Sequence, residues 1–154
     1  TYKEVCSSRT GYVEVLRVEL SDNKYFENLI RFFFGIHDPT TKNRQGADRG
    51  SQYASFIFCS DREQMDIAER VKKEVQDLID AGIVRCFAGR TVQTQIVMTT
   101  KFVVAGKKHQ DYLLKNPTGY CNHFIRQRDR APPRISRQIK LRTPGSFIPF
   151  SSPS

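Results

Sequence analysis

No run of about 18 apolar residues occurs in the chain, which excludes a membrane-spanning helix. No Cys-x-x-Cys pair occurs either. The four cysteines, at 6, 59, 86 and 121, stand far apart, so a zinc site is not expected. Their spacing favours a cytoplasmic over a secreted protein. His37, His109 and His123 have no ligand-like spacing, so no metal is expected. Internal repeats and tryptophan are also absent. What is there is a chain of 154 residues, 38% hydrophobic, 27% charged and 11% aromatic. This excludes a wholly disordered chain, a collagen-like fibre and a disulfide-dense mini-protein. The length suits one domain with a core of its own.

The net charge of +9 is uneven. Residues 122–154 carry Arg126, Arg128, Arg130, Arg134, Arg137, Lys140 and Arg142 against Asp129 alone, which is +6 of the total. The same stretch holds five of the seven prolines. It reads as an extended basic appendage, mostly without fixed structure. The expected organisation is therefore a domain over 1–121 and a basic tail over 122–154. The chain begins with Thr1 rather than Met, which predicts a processed product or a fragment.

Residues 12–20, Tyr-Val-Glu-Val-Leu-Arg-Val-Glu-Leu, predict a strand. Phe26, Leu29, Ile30 and Phe33 follow at helical spacing, with Gly35 as the expected stop. Residues 37–52 form a polar segment long enough to suggest function. Tyr53–Phe58 suits a short buried strand. Ser60 and Glu63 have the spacing of a capping box, and Ala68, Val71, Val75, Leu78 and Ile79 make an apolar helix face closed by Gly82. Glu69 and Lys73 are placed for a surface pair. Val92–Met98 alternates as a strand, residues 103–115 suggest a helix weakened by Gly106, and residues 116–119 are a turn.

Among residues able to do chemistry, Glu14 shares a strand face with Leu16, Val18 and Leu20. If that face is buried, desolvation keeps the carboxyl protonated near neutral pH, as a general acid requires. The alternative is a solvated edge glutamate. The polar segment offers His37, Asp38, Asp48 and Tyr53, with Gly46 and Gly50 bracketing Asp48. It reads equally as a surface loop that hydrogen-bonds itself. Cys121 follows a turn, where a thiol could travel to a partner sulfur. Cys59 and Cys86 read as small apolar residues.

Taken together these segments resemble the peptide methionine sulfoxide reductases of type A. The resemblance rests on His37-Asp38-Pro39-Thr40-Thr41-Lys42-Asn43-Arg44-Gln45-Gly46-Ala47-Asp48-Arg49-Gly50-Ser51-Gln52-Tyr53, and on Thr1-Tyr2-Lys3-Glu4-Val5-Cys6. It also rests on Thr10-Gly11-Tyr12-Val13-Glu14, His109-Gln110-Asp111-Tyr112-Leu113 and Asn116-Pro117-Thr118-Gly119-Tyr120-Cys121. It covers residues 1 to about 121. It implies an α+β fold, with a ferredoxin-like mixed sheet and packed helices, lacking the family's first strand and helix. It implies reduction of the S epimer of methionine sulfoxide, free or in oxidised proteins. Glu14 would protonate the sulfoxide oxygen, Tyr2 and Tyr53 would hold it, Asp48 would support the pocket, and Cys121 would be the resolving thiol. Thioredoxin, or dithiothreitol in its place, would be the reductant, and no metal or organic cofactor is implied.

The sequence also departs from the family. The nucleophilic cysteine sits in a Gly-Cys-Phe-Trp-Gly motif in the family, and this sequence has no Cys-Phe-Trp; Cys86-Phe87 is followed by Ala88, so the expectation is that this chain lacks the nucleophile and is inactive alone. Tyr12-Val13 replaces the usual His-Ala, Gln95 the usual Glu, and Val103 and Gly106 the usual Tyr and Glu. The basic tail and the lack of a second recycling cysteine complete the differences. Three readings follow: a reductase or the larger part of one, a catalytically inactive relative that binds methionine-containing proteins, and a binder of nucleic acid or acidic surfaces through the tail. The tail has only Phe124, Phe147 and Phe150 as aromatics and no base-reading module, so nucleic acid is not an expected partner.

Overall fold

Apolar spacing in the middle of the chain dictates a strand–helix–strand unit. Around it the structure, a computed structural model, describes residues 11–121 with the backbone of 139–141 and 146–149. Tyr2 and Cys6 lie outside the described residues. Strands β1 (Tyr12–Val15) and β2 (Val18–Leu20) precede helix α1 (Phe26–Ile36). A small hairpin follows, β3 (Arg44–Gln45) and β4 (Asp48–Arg49), then β5 (Phe56–Cys59), α2 (Arg62–Asp80) and β6 (Gln95–Met98). The chain continues through β7 (Val103–Val104) and the one-turn helix α3 (Tyr112–Lys115) to β8 (Ile139–Leu141) and β9 (Ser146–Pro149).

The core lies between the parallel pair β5–β6, in register Phe56↔Gln95 to Cys59↔Met98, and the two long helices. Phe26, Ile30 and Phe34 from α1 meet Ala68, Val71, Val75 and Ile79 from α2, with Ile57, Cys59, Val92 and Ile96 beneath. Burial of each large side chain is worth about 1.5–3 kcal/mol. Glu27 of α1 and Glu74 of α2 interleave with Arg31 and Arg70 at 2.6–3.1 Å across the helix pair.

Local signals were displaced by a residue or two. Gly35 does not stop α1; it is buried inside the last turn, and the helix ends at His37 in extended conformation. The cost of a helical glycine, about 1 kcal/mol, is outweighed by the packing of Phe34 beside it. The cap of α2 is Asp61, not Ser60: its Oδ1 accepts from Gln64 N at 2.8 Å, and Gln64 Oε1 accepts from Ser60 N at 3.0 Å. Lys73 pairs with Asp77 at 2.7 Å in place of the expected Glu69. Gly82, at φ +66°, closes α2 as expected; Gly82 N donates to Ile79 O and Ile83 N to Leu78 O, both at 3.0 Å.

Two larger expectations are corrected. Residues 12–20 form two strands, because β1 pairs with β9 while β2 pairs with β8, and Leu16 and Arg17 between them are exposed. Residues 103–115 are not one helix. Val103 and Val104 pair with β9, a 3₁₀ turn spans Lys107–His109, and Asp111 at φ +54° delays α3 to Tyr112. The tail, expected to be mostly without fixed structure, contributes two short strands. β9 lies between β1 and β7, antiparallel to both, and β8 pairs with β2. Open backbone edges at β1, β2 and β7 supply the reason, since unpaired N–H and C=O groups take up an available strand. The α+β class holds, but the expected mixed sheet is four separate small sheets among the described residues.

Candidate active site

A short polar segment carries much of the site, and its own hydrogen bonds set its path. Asp38 is buried, and its carboxylate accepts from Thr40 N and from Ala88 N, each at 2.9 Å. Thr40 Oγ1 accepts from Gly89 N at 2.8 Å, so the start of this segment is sewn to the loop before β6. His37 Nδ1 donates to Phe33 O at 2.6 Å, and its Nε2 meets Ser55 Oγ at 2.8 Å. Ser55 Oγ in turn meets the buried Thr94 Oγ1 at 2.8 Å. His37 and Asp38 are therefore anchors of the loop rather than reacting groups.

The hairpin then delivers Asp48 and Tyr53. Gly50 N donates to Asn43 O at 2.9 Å, closing the base of β3–β4. Gly50 has φ +134°, and a Cβ there would lie 2.3 Å from Gln52 Oε1, so only glycine fits. The chain turns at once into the 3₁₀ turn Ser51–Tyr53, which packs against β1. Tyr53 is thereby set beside the strand that carries Glu14.

Glu14 does not share the buried face. Val13, at 3% exposure, faces the interior, and Glu14 is exposed. Of the two readings the sequence left open, exposure at the strand surface is the one observed. Glu14 nevertheless holds its proton more tightly than an ordinary carboxyl. The surrounding protein withholds hydration and raises its pKa, His109 opposes that with its charge, and Asp48 adds to it. Exposure and a raised pKa coexist here because the carboxyl is reached by water at the surface while protein surrounds it on other sides.

Cys121 is exposed, and Tyr120 beside it donates from its hydroxyl to Asp48 Oδ2 at 3.4 Å. Cys86 is exposed, whereas Cys59 is fully buried and its thiol is pushed up to about 11, by burial first and then by Asp61 and Glu69. The structure thus draws together Glu14, Asp48 and His109, with Tyr53 on an adjoining turn and Tyr120–Cys121 at the margin. His109 and Tyr120 carried no assigned role in the sequence reading; their membership of ordered motifs was the available signal. Among the described residues there is no group of three or more His, Cys, Asp or Glu arranged to hold a metal ion. No described helix is long and apolar enough to cross a membrane.

An α+β chain whose polar loop, acidic pair and exposed cysteine are arranged in this way matches one family of oxidoreductases. A family model described as peptide methionine sulfoxide reductase matches residues 1–138. A Schizosaccharomyces pombe protein named probable peptide methionine sulfoxide reductase is 43% identical over 129 residues, covering 82% of this chain and 72% of its own. The human mitochondrial peptide methionine sulfoxide reductase is 40% identical over 122 residues, covering 79% of this chain and 50% of its own. The crystal structure of Mxr1 from Saccharomyces cerevisiae in reduced form superimposes with a TM-score of 0.68 at 33% identity, covering 82% of this chain and 67% of that one. The chain belongs to the peptide methionine sulfoxide reductase family.

Proposed function

We propose that this chain carries the acid and recycling groups of a peptide-methionine (S)-S-oxide reductase, acting on methionine sulfoxide in oxidised proteins or free in solution. The observation that supports this most is Glu14, an exposed carboxyl with a raised pKa beside Asp48, in a chain of this family. Sulfoxide sulfur is a poor electrophile until its oxygen is protonated. A carboxyl that holds its proton more tightly than an ordinary one can supply it, and help of this kind is worth about 10²–10⁴-fold. Overall, two thiols and the sulfoxide become a disulfide, a thioether and water. Glu14 gives a proton to the departing oxygen, with Tyr53 and Tyr2 as its hydrogen-bond donors and Asp48 as support. Cys121 is the resolving thiol, and thioredoxin or dithiothreitol reopens the disulfide. The attacking thiol is not among the residues assigned here. The reaction as written uses no metal, and a cytoplasmic site of action belongs to the same reading.

Binding of the two epimers tests this without depending on turnover. Isotope-edited NMR of Glu14 and Tyr53 is expected to show saturable shifts with the S epimer of methionine sulfoxide and none with the R epimer. Equal response to both, or to neither, would contradict the proposal.

A further inference from the structure

We propose that Tyr120 is a positioning residue for Cys121, tying it to Asp48 through its phenol hydroxyl. This rests on the reading of Cys121 as the recycling thiol. Two anchors act on residues 116–121, one on each side of the turn. On the near side Gly119 N donates to Asn116 O at 2.8 Å. A Cβ at Gly119 would lie 2.7 Å from Tyr112 Cε1 and 2.9 Å from Asn116 O, so glycine lets the turn lie flat on α3. On the far side the Tyr120 hydroxyl reaches across 72 residues of sequence to Asp48 Oδ2. Asp48 is the carboxylate whose charge acts on Glu14. The segment carrying Cys121 is therefore referenced to the acidic pair and not only to its own helix.

The character of the tie suits the task. At 3.4 Å, on a tyrosine that is 58% exposed, it is a long bond that water can replace. It keeps the thiol near the site and lets it leave. A short buried bond would immobilise a group that has to move to a partner sulfur.

Tyr120→Phe keeps the ring and removes the hydroxyl. The readout is the alkylation rate of each cysteine in the full chain, mapped by mass spectrometry. Cys121 is expected to react about threefold faster, as expected when one weak hydrogen bond no longer opposes local opening. Exposed Cys86 and buried Cys59 serve as internal references and are expected to hold their rates. Asp48→Ala is expected to raise Cys121 equally, with no further rise in the double variant. An unchanged Cys121 rate in Tyr120→Phe overturns the proposal. So does a rise shared with Cys59, which marks general loosening, and so do additive effects of the two substitutions. Tyr120→Phe decides alone if Asp48→Ala does not fold. Because labelling requires no sulfoxide reduction, failure here and failure of the epimer test are separate results.

Discussion

At the residue scale the proposed acid is Glu14, and the direction of its pKa shift sets the pH dependence expected of that role. Its folded-state pKa lies above the ordinary 4.5. The protonated fraction that serves as acid is therefore retained to higher pH and lost as pH rises through the raised value. The same shift makes the folded state slightly less favourable once the group ionises. Glu14→Gln in the whole reductase is expected to slow the sulfoxide step by about 10²-fold or more while leaving substrate binding little changed. Single-turnover kinetics against equilibrium binding measures both, and equal losses would argue against an acid role. Cys121→Ser is expected to spare a single turnover and abolish recycling by thioredoxin; sustained turnover with thioredoxin would remove the resolving assignment. Residue identity was legible from ordered motifs, but the environment was not. Alternation along 12–20 offered two faces with apolar residues, and only the pairing partners of β1 and β2 decide that Val13 is the buried one.

At the scale of elements, the α1–α2 pair is the most legible part of the chain. Its apolar faces follow from 3.6-residue spacing, and the observed core repeats the expected Ala68, Val71, Val75 and Ile79. The caps slid by one residue because Ser60 and Asp61 are both good caps and Gln64 serves Asp61 better in place. What spacing could not show is the cross-helix ion network. Glu27 is held down to about 2 by hydrogen bonds from Arg70 and then Arg31. An acid whose pKa is lowered on folding adds stability above its unfolded value of 4.5, lost as pH falls towards 2. Glu27→Gln is expected to cost about 1 kcal/mol or less at neutral pH, since its partners are part exposed and screened. It should also flatten the acid side of the stability curve. Chemical denaturation at neutral and acid pH measures this, and an unchanged pH slope would contradict the network. The segment 103–115 was misread for a related reason. Its residues have mixed preferences, and the partner that makes Val103–Val104 a strand lies some forty residues away in β9.

At the scale of the molecule, the edges of the ladders matter most. The family match ends at residue 138, yet β8 and β9 lie beyond it and pair with strands inside it. Composition pointed to an appendage there, because proline and arginine dominate the tail. Short runs such as Ser146–Pro149 are too brief to declare themselves without a partner strand. The division at residue 121 thus stands as a proposal about chemistry more than about pairing. Removing residues 143–154 is expected to expose β1 and β7 and to give concentration-dependent self-association by light scattering. A truncated chain that stays monomeric at all concentrations would show that β9 does not protect those edges.

The central claim is that this family member presents Glu14 as a proton donor. Its most direct test is the titration of the Glu14 carboxyl by isotope-edited NMR in the full chain. The account predicts a midpoint above 4.5, falling towards the ordinary value when Asp48 is replaced by Asn, since the neighbouring negative charge is then gone. A midpoint at or below 4.5 in the unaltered chain would contradict it.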